Sequence, residues 1–213
     1  DGTTAFVEMA SASGLHLLDP AHRNPMRTTS FGSGQLIAHA ATTGVRRVIL
    51  GIGGSATVDG GIGALQALGC RILLDNGSQY GPTDRKLTGA DLPHVVSVTP
   101  PPRPLGVELI VACDVGNPLF GPEGAAEVFG PQKGATPEQV ALLDAALRRL
   151  AERSGQLETA MAPGAGAAGG LGFALLAFNQ ASLRSGARMV IEAVGLRDRL
   201  RGADLCITGE GRF

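Results

Sequence analysis

VRRVILGIGGSATVDGGIGALQALGCRILLD, residues 45–75, decides the fold class. VRRVIL (45–50) is short, apolar and rich in β-branched residues, which reads as a buried strand. The glycine-rich loop GIGGSATVDGGIG (51–63) follows, then an apolar-faced helix over about 61–69, then RILLD (71–75) as a second strand. Strand, helix and strand in that order make a βαβ unit, and such units build a parallel sheet. VELIVACD (107–114) and ADLCIT (203–208) repeat the strand signature. The expected fold is α/β, with mainly parallel sheets and flanking helices.

Outward from that stretch, the clearest helix is 137–153. Thr136 can cap it, Pro137 takes its first position and Glu138 lies in its first turn. Ala141, Leu142, Ala145 and Leu150 read as its apolar stripe, and Arg148, Arg149 and Arg153 as its solvated face. The proline-rich stretch 76–105 interrupts the alternation and reads as an excursion with one short strand at 95–98. The opening DGTTAFVEMA carries no clear helix or strand signature and lacks the basic region of a signal peptide. The other end, ADLCITGEGRF, reads as a strand running into a glycine turn, so the chain is expected to be part of a longer one.

Composition narrows the class. Its 32 glycines and 13 prolines are about a fifth of 213 residues, against roughly 12% in average usage. Yet 44% hydrophobic residues exclude disorder, and glycine without a three-residue period excludes collagen. A net charge of −1 gives no overall attraction to nucleic acid or an anionic membrane. No apolar run is long enough to span a bilayer. Cys70, Cys113 and Cys206 form no C-x-x-C pair and read as reduced, buried thiols of a cytoplasmic protein.

Four loops share one layout, small residues ahead of a helix or after a strand: TTSFGSG (28–34), GIGGSATVDGGIG (51–63), PGAGAAGGLG (163–172) and TGEG (208–211). Glycine lets backbone approach a ligand, and amides at a helix start favour an anion. The competing reading is that small residues only let two elements touch. Gly53, Gly54, Ser55, Ala56, Thr57 and Asp59 in the second loop are candidates for anion binding, and Gly164, Gly166, Gly169 and Gly170 in the third. Gly51-x-Gly53-x-x-Ala56, with Asp75 at the next strand end, fits a dinucleotide fingerprint. An NAD-dependent oxidoreductase is therefore an alternative, weakened because the loop continues through TVDGGIG before its helix.

Asp114 ends the strand VELIVACD, where side chains face the ligand crevice of a parallel sheet. It can accept a hydroxyl proton or hold a metal, or merely cap a turn. Asn117 can add a ligand or a turn bond, and Lys133 in GPQKGA (130–135) can neutralise phosphate. Asp59 and Glu210 occupy comparable loop positions and could converge with Asp114 on magnesium. The four histidines show no metal spacing.

GIGGSATVDGG, VACDVGNPL, VFGPQKGA, PGAGAAGGLGFAL and ITGEGR, in this order, resemble the bacterial glycerate 2-kinase family (type I) across nearly the whole chain. The family has further segments before and after these motifs. Val58 stands where the family often has Asn, so any ligand contact of that Asn would be missing here. The resemblance implies phosphorylation of the 2-hydroxyl of D-glycerate by ATP with Mg2+. It also implies two α/β domains with the active site in the cleft between them. Residues 1–195 would form most of the substrate-side domain and 196–213 the start of the return into the second. Asp114 is then the expected base and Lys133 a charge partner. The loops 51–60 and 164–170 would bind glycerate or phosphate, and Glu210 and Asp59 would hold magnesium or orient their loops. A homodimer is a further expectation. A ligand-binding fragment without turnover is the other reading.

Overall fold

A computed structural model describes residues 2–207 and 209. In chain order it runs β1 (Thr4–Glu8), α1 (Ala10–Ser13), α2 (Phe31–Thr42), β2 (Arg47–Gly51), α3 (Ile62–Ala67), β3 (Arg71–Leu74), β4 (Gln79–Tyr80), β5 (Val95–Thr99) and β6 (Glu108–Ala112). Then come α4 (Ala125–Phe129), α5 (Pro137–Arg153), α6 (Leu157–Met161), α7 (Ala167–Asn179), β7 (Ser182–Arg184), α8 (Gly186–Ala193) and α9 (Leu196–Arg199).

β1, β2, β6 and β7 form a four-stranded sheet in that order, and every pairing in it is parallel. Val48, Leu50, Leu109 and Val111 are buried, which is why these runs are apolar almost throughout. The register places Glu8, Gly51, Ala112 and Arg184 in one row. The strands therefore stop together, and the loops after them leave from a single edge. β1 corrects the expectation that the opening residues hold no element. Its neighbour β2 completes its ladder on one side, which a short polar-flanked run does not advertise locally.

RILLD is a strand, but not of that sheet. β3 pairs antiparallel with β4 and β5 in a separate three-stranded sheet. Asp75 therefore does not end a strand adjacent to β2, and its carboxylate meets His94 Nδ1 at 2.9 Å. The dinucleotide fingerprint loses its acidic partner, because its acid must lie beside the glycine loop in the same sheet. The excursion is anchored by the buried Gln66. Its Nε2 donates to the Gly81 and Arg85 carbonyls, both at 2.8 Å, and its Oε1 accepts from the Leu87 amide at 3.0 Å.

α5 has the expected bounds, and Thr136 accepts from the Gln139 amide while Gln139 reaches back to the Thr136 amide. Its buried face is Val140, Leu143, Ala146, Leu147, Leu150 and Ala151. Ala141, Leu142 and Ala145 are exposed, a correction of one helical step in the stripe. Alanine is small enough to sit on either face, so it does not mark one. The ADLCI segment forms no strand over 203–207 and is exposed, so of the three thiols expected to be buried only Cys70 is; Cys113 is half-buried and Cys206 exposed. Apolar sequence makes a strand only where a neighbour completes its hydrogen bonds. Thr208 lies outside the described residues.

Two apolar clusters make the core. One lies between the parallel sheet, α2 and α7 and includes Met9, Ile37, Val48, Leu50 and Leu171. The other joins α3, α5 and the antiparallel sheet through Ile62, Leu65, Ile72, Leu143, Leu147 and Phe173. Val58 is fully buried in the second, so at this position the side chain serves packing. Among the described residues no helix is long and apolar enough to cross a membrane.

Candidate active site

A cavity of about 450 Å³ opens at the carboxyl ends of β2 and β6. Gly53, Gly54 and Ser55 line one wall, Cys113 and Asp114 another, and Lys133 a third. Leu15, Gln132, Ala167 and Ala168 also line it and are missed by the sequence reading. A larger cavity of about 760 Å³ lies at the opposite end of the sheet, between residues 100–105 and α2, and holds none of the candidate residues. In parallel sheets ligands bind beyond the carboxyl ends, so the smaller cavity is the candidate site.

The glycines now separate by role. At Gly53 a Cβ would meet nothing within 4 Å, and at Gly54 only Ala10 Cβ at 3.6 Å. That wall leaves space. In the 163–172 loop the space is taken. A Cβ on Gly166 would lie 2.1 Å from the Pro118 carbonyl oxygen, and one on Gly169 would lie 1.9 Å from that of Thr57. A Cβ on Gly170 would lie 2.8 Å from Gly60 Cα, and one on Gly164 would lie 2.9 Å from Leu183 Cδ1, both still too close. Ala168, Gly169 and Gly170 take left-handed φ of 54°, 69° and 96°. This turn packs against the 51–63 loop, with the Gly60 amide donating to the Gly169 carbonyl at 2.9 Å. Here close contact explains the small residues.

Lys133 is 2% exposed. It ends the short 3₁₀ turn Pro131–Lys133, which Gly134 (φ 87°) closes before α5. Its Nζ lies 2.7 Å from Ser55 Oγ and donates to the Thr57 carbonyl at 2.8 Å. The Phe129 ring centroid is 5.9 Å away. Burial pulls the ammonium down to about 7, against the opposing charge of Asp59.

Asp59 is fully buried behind the loop. Its Oδ2 accepts from the Ser30 amide and hydroxyl, both at 2.7 Å, and its Oδ1 from the Gly61 amide at 3.1 Å. Burial raises its pKa, and these bonds oppose the rise. Ser30 in turn accepts from the Ala64 amide at 2.9 Å, which ties the loop to α2 and α3. Thr57 is buried with Oγ1 toward the Ala168 carbonyl at 3.4 Å. The Ala56 amide donates to Ser13 at 2.9 Å. Ala56, Thr57 and Asp59 thus stand behind the cavity wall, not on it.

Asp114 is exposed at the rim. Its Oδ1 accepts from Ser185 Oγ at 2.8 Å, and the Ala187 amide at the start of α8 lies 3.2 Å from both carboxylate oxygens. Asn117 Nδ2 donates to the Glu123 carbonyl at 2.8 Å, a turn bond outside the cavity. Glu210 lies outside the described residues. Among those described, no group of three or more His, Cys, Asp or Glu side chains could hold a metal ion. Asp59 does not fit a magnesium ligand as placed, since it is fully buried behind the loop and does not line the cavity.

The serines that hold these acids are missed by the sequence reading. Ser30 and Ser185 lie 29 and 71 residues from their carboxylates, and no local spacing links them.

The glycerate kinase family model matches residues 1–213. Glycerate kinase of Haemophilus influenzae is 49% identical over 219 residues, covering all of this chain and 57% of the relative. Glycerate 2-kinase of Escherichia coli is 44% identical over 216 residues, covering all of this chain and 56% of the relative. A crystal structure assigned as glycerate kinase 2 from Salmonella typhimurium LT2 is 48% identical, with a TM-score of 0.84. It aligns with 99% of this chain and 56% of its own length. The chain thus spans a little over half the length of these relatives.

Proposed function

This chain belongs to the glycerate kinase family, and we propose that it supplies the substrate side of an enzyme that phosphorylates the 2-hydroxyl of D-glycerate with ATP, giving 2-phosphoglycerate. The observation that carries the reading is the convergence of Gly53, Gly54, Ser55, Asp114 and Lys133 on one cavity at the row of strand ends. Phosphoryl transfer needs in-line positioning and neutralised charge more than covalent chemistry. Asp114 takes the hydroxyl proton of glycerate. A carboxylate has about four acceptor positions, so its bonds to Ser185 and Ala187 leave capacity for a substrate hydroxyl while fixing its direction. Lys133, in its protonated form, counters the negative charge of a carboxylate or phosphate beside Gly53 and Gly54. Asp59 orients the loop through Ser30 and Gly61 rather than ligating the metal. Magnesium would come with the phosphates of ATP and would neutralise part of their charge.

On the same reading residues 1–195 form most of the substrate-side domain, and 196–213 begin the return into the second. The enzyme is cytoplasmic and a homodimer, the latter to be read by sedimentation. The test is a coupled assay of the full-length protein with D-glycerate, ATP and magnesium, with 31P NMR to place the phosphate on O2 or O3. Turnover with phosphate on O2 is expected. Ligand binding without turnover would assign a binding role instead.

A further inference from the structure

Ser55 and Lys133 come from turns 78 residues apart, yet Oγ and Nζ lie 2.7 Å apart. Both side chains are buried, and both line the cavity. The second partner of Nζ, the Thr57 carbonyl, can only accept. A hydroxyl can either accept or donate. With a neutral amine, Nζ keeps its N–H bond to Thr57 and turns its lone pair toward the Ser55 hydroxyl. Burial makes that neutral form accessible near pH 7. Space for an incoming group adjoins the pair at Gly53, where a Cβ would meet nothing within 4 Å.

We propose that Ser55 Oγ is a nucleophile toward phosphorus electrophiles, with Lys133 Nζ as its general base, so that this cavity carries phosphorus covalently. In the step, Oγ bonds to phosphorus, the bond from phosphorus to the leaving group breaks, and the hydroxyl proton passes to Nζ. With a phosphonofluoridate the leaving group is fluoride. With a phosphoanhydride it is the departing phosphate oxygen of the donor, and only this extension rests on the kinase reading. Activation of a hydroxyl by an adjacent base with a lowered pKa is the usual way to make a weak nucleophile reactive.

The groups facing the pair are few. Among the described residues lining the cavity, Asp114 and Lys133 are charged and Cys113 is titratable. Asp59 acts on Lys133 from behind the loop. Burial pushes the Cys113 thiol up and Sγ bonds the Val115 carbonyl at 3.3 Å, so it is the weaker competitor at neutral pH.

The test treats the full-length protein with a small phosphonofluoridate, without glycerate or nucleotide, and maps the adduct by mass spectrometry. One adduct is expected on Ser55, absent in Ser55→Ala. Its rate should rise with pH through about 7 and then level, following loss of the Lys133 proton. Lys133→Arg keeps a cation but cannot serve as a base. It should label slower by ~10²–10⁴, the usual weight of a general base. Lys133→Met should do the same. No adduct on Ser55, an adduct only on Cys113, or a rate flat between pH 6 and 8 overturns the proposal. So does a Lys133 variant with a native circular dichroism spectrum that labels as fast as the parent. Should neither variant fold, the pH profile of the unaltered protein decides. A failed kinase assay leaves all of these readouts standing.

Discussion

Asp114 and Lys133 face one cavity by different routes, and their substitutions should separate. Asp114→Asn keeps the shape and the bond from Ser185 but lowers proton affinity. In the full-length enzyme kcat should fall ~10²–10⁴ with KM little changed. Activity within a factor of two would end its assignment as base. Lys133 carries a linkage that stability measurements can read. Burial pulls the Lys133 ammonium down to about 7 in the folded chain, against 10.5 for an unperturbed lysine. Between those values the unfolded chain binds more protons, so stability rises with pH across that window, and the cost of burial is full below 7. Denaturant titrations at pH 6 and pH 9.5 should show the parent gaining a few kcal/mol over Lys133→Met, at order of magnitude. No relative gain would mean the ammonium is not desolvated. The place of Asp114 at the cavity rim was legible because the loops after the strands of a parallel sheet face the ligand crevice. The burial of Lys133 was not, because the turn holding it is polar in sequence and the loop covering it lies 76 residues away at Thr57.

Among the elements, the two glycine loops look alike in sequence and behave oppositely in space. Gly53→Ala should leave the melting temperature almost unchanged, since its Cβ would meet nothing, while weakening glycerate or phosphate binding. Gly169→Ala combines a left-handed φ of 69° with a Cβ 1.9 Å from the Thr57 carbonyl oxygen. It should cost about 1–3 kcal/mol from the backbone alone, and more from the clash. Thermal unfolding of the two variants decides; equal losses would refute the division. Thr136→Ala removes the reciprocal cap of α5 and should cost about 1 kcal/mol. The bounds of α5 were legible because threonine, proline and glutamate at a helix start each act within one turn. Its buried face was read one step out, because Ala141 and Ala145 satisfy either side.

For the whole molecule, the four most exposed large apolar side chains among the described residues lie on β1, on α8 and in the 203–207 segment. Phe6 on the edge strand β1 is 78% exposed, and Leu205 and Ile207 are 77% and 88% exposed. Val190 on α8 is 62% exposed. Residues 1–213 produced alone should therefore self-associate, because an open strand edge beside apolar side chains is a pairing template. Sedimentation velocity should show heterogeneous species that the full-length protein lacks; a single monomer would contradict this. The sequence by itself determined the fold class, α5 and the parallel-sheet strands β2 and β6, because hydrophobic period and helix caps act over a few residues. It also determined the family, through motifs kept in order along the chain. Only the tertiary structure decided that β3 belongs to a second sheet and that ADLCI forms no strand. It alone set which glycines face space and that Ser55 meets Lys133. Each of these depends on a partner tens of residues away, and the chain carries no local mark of distant contacts before it folds.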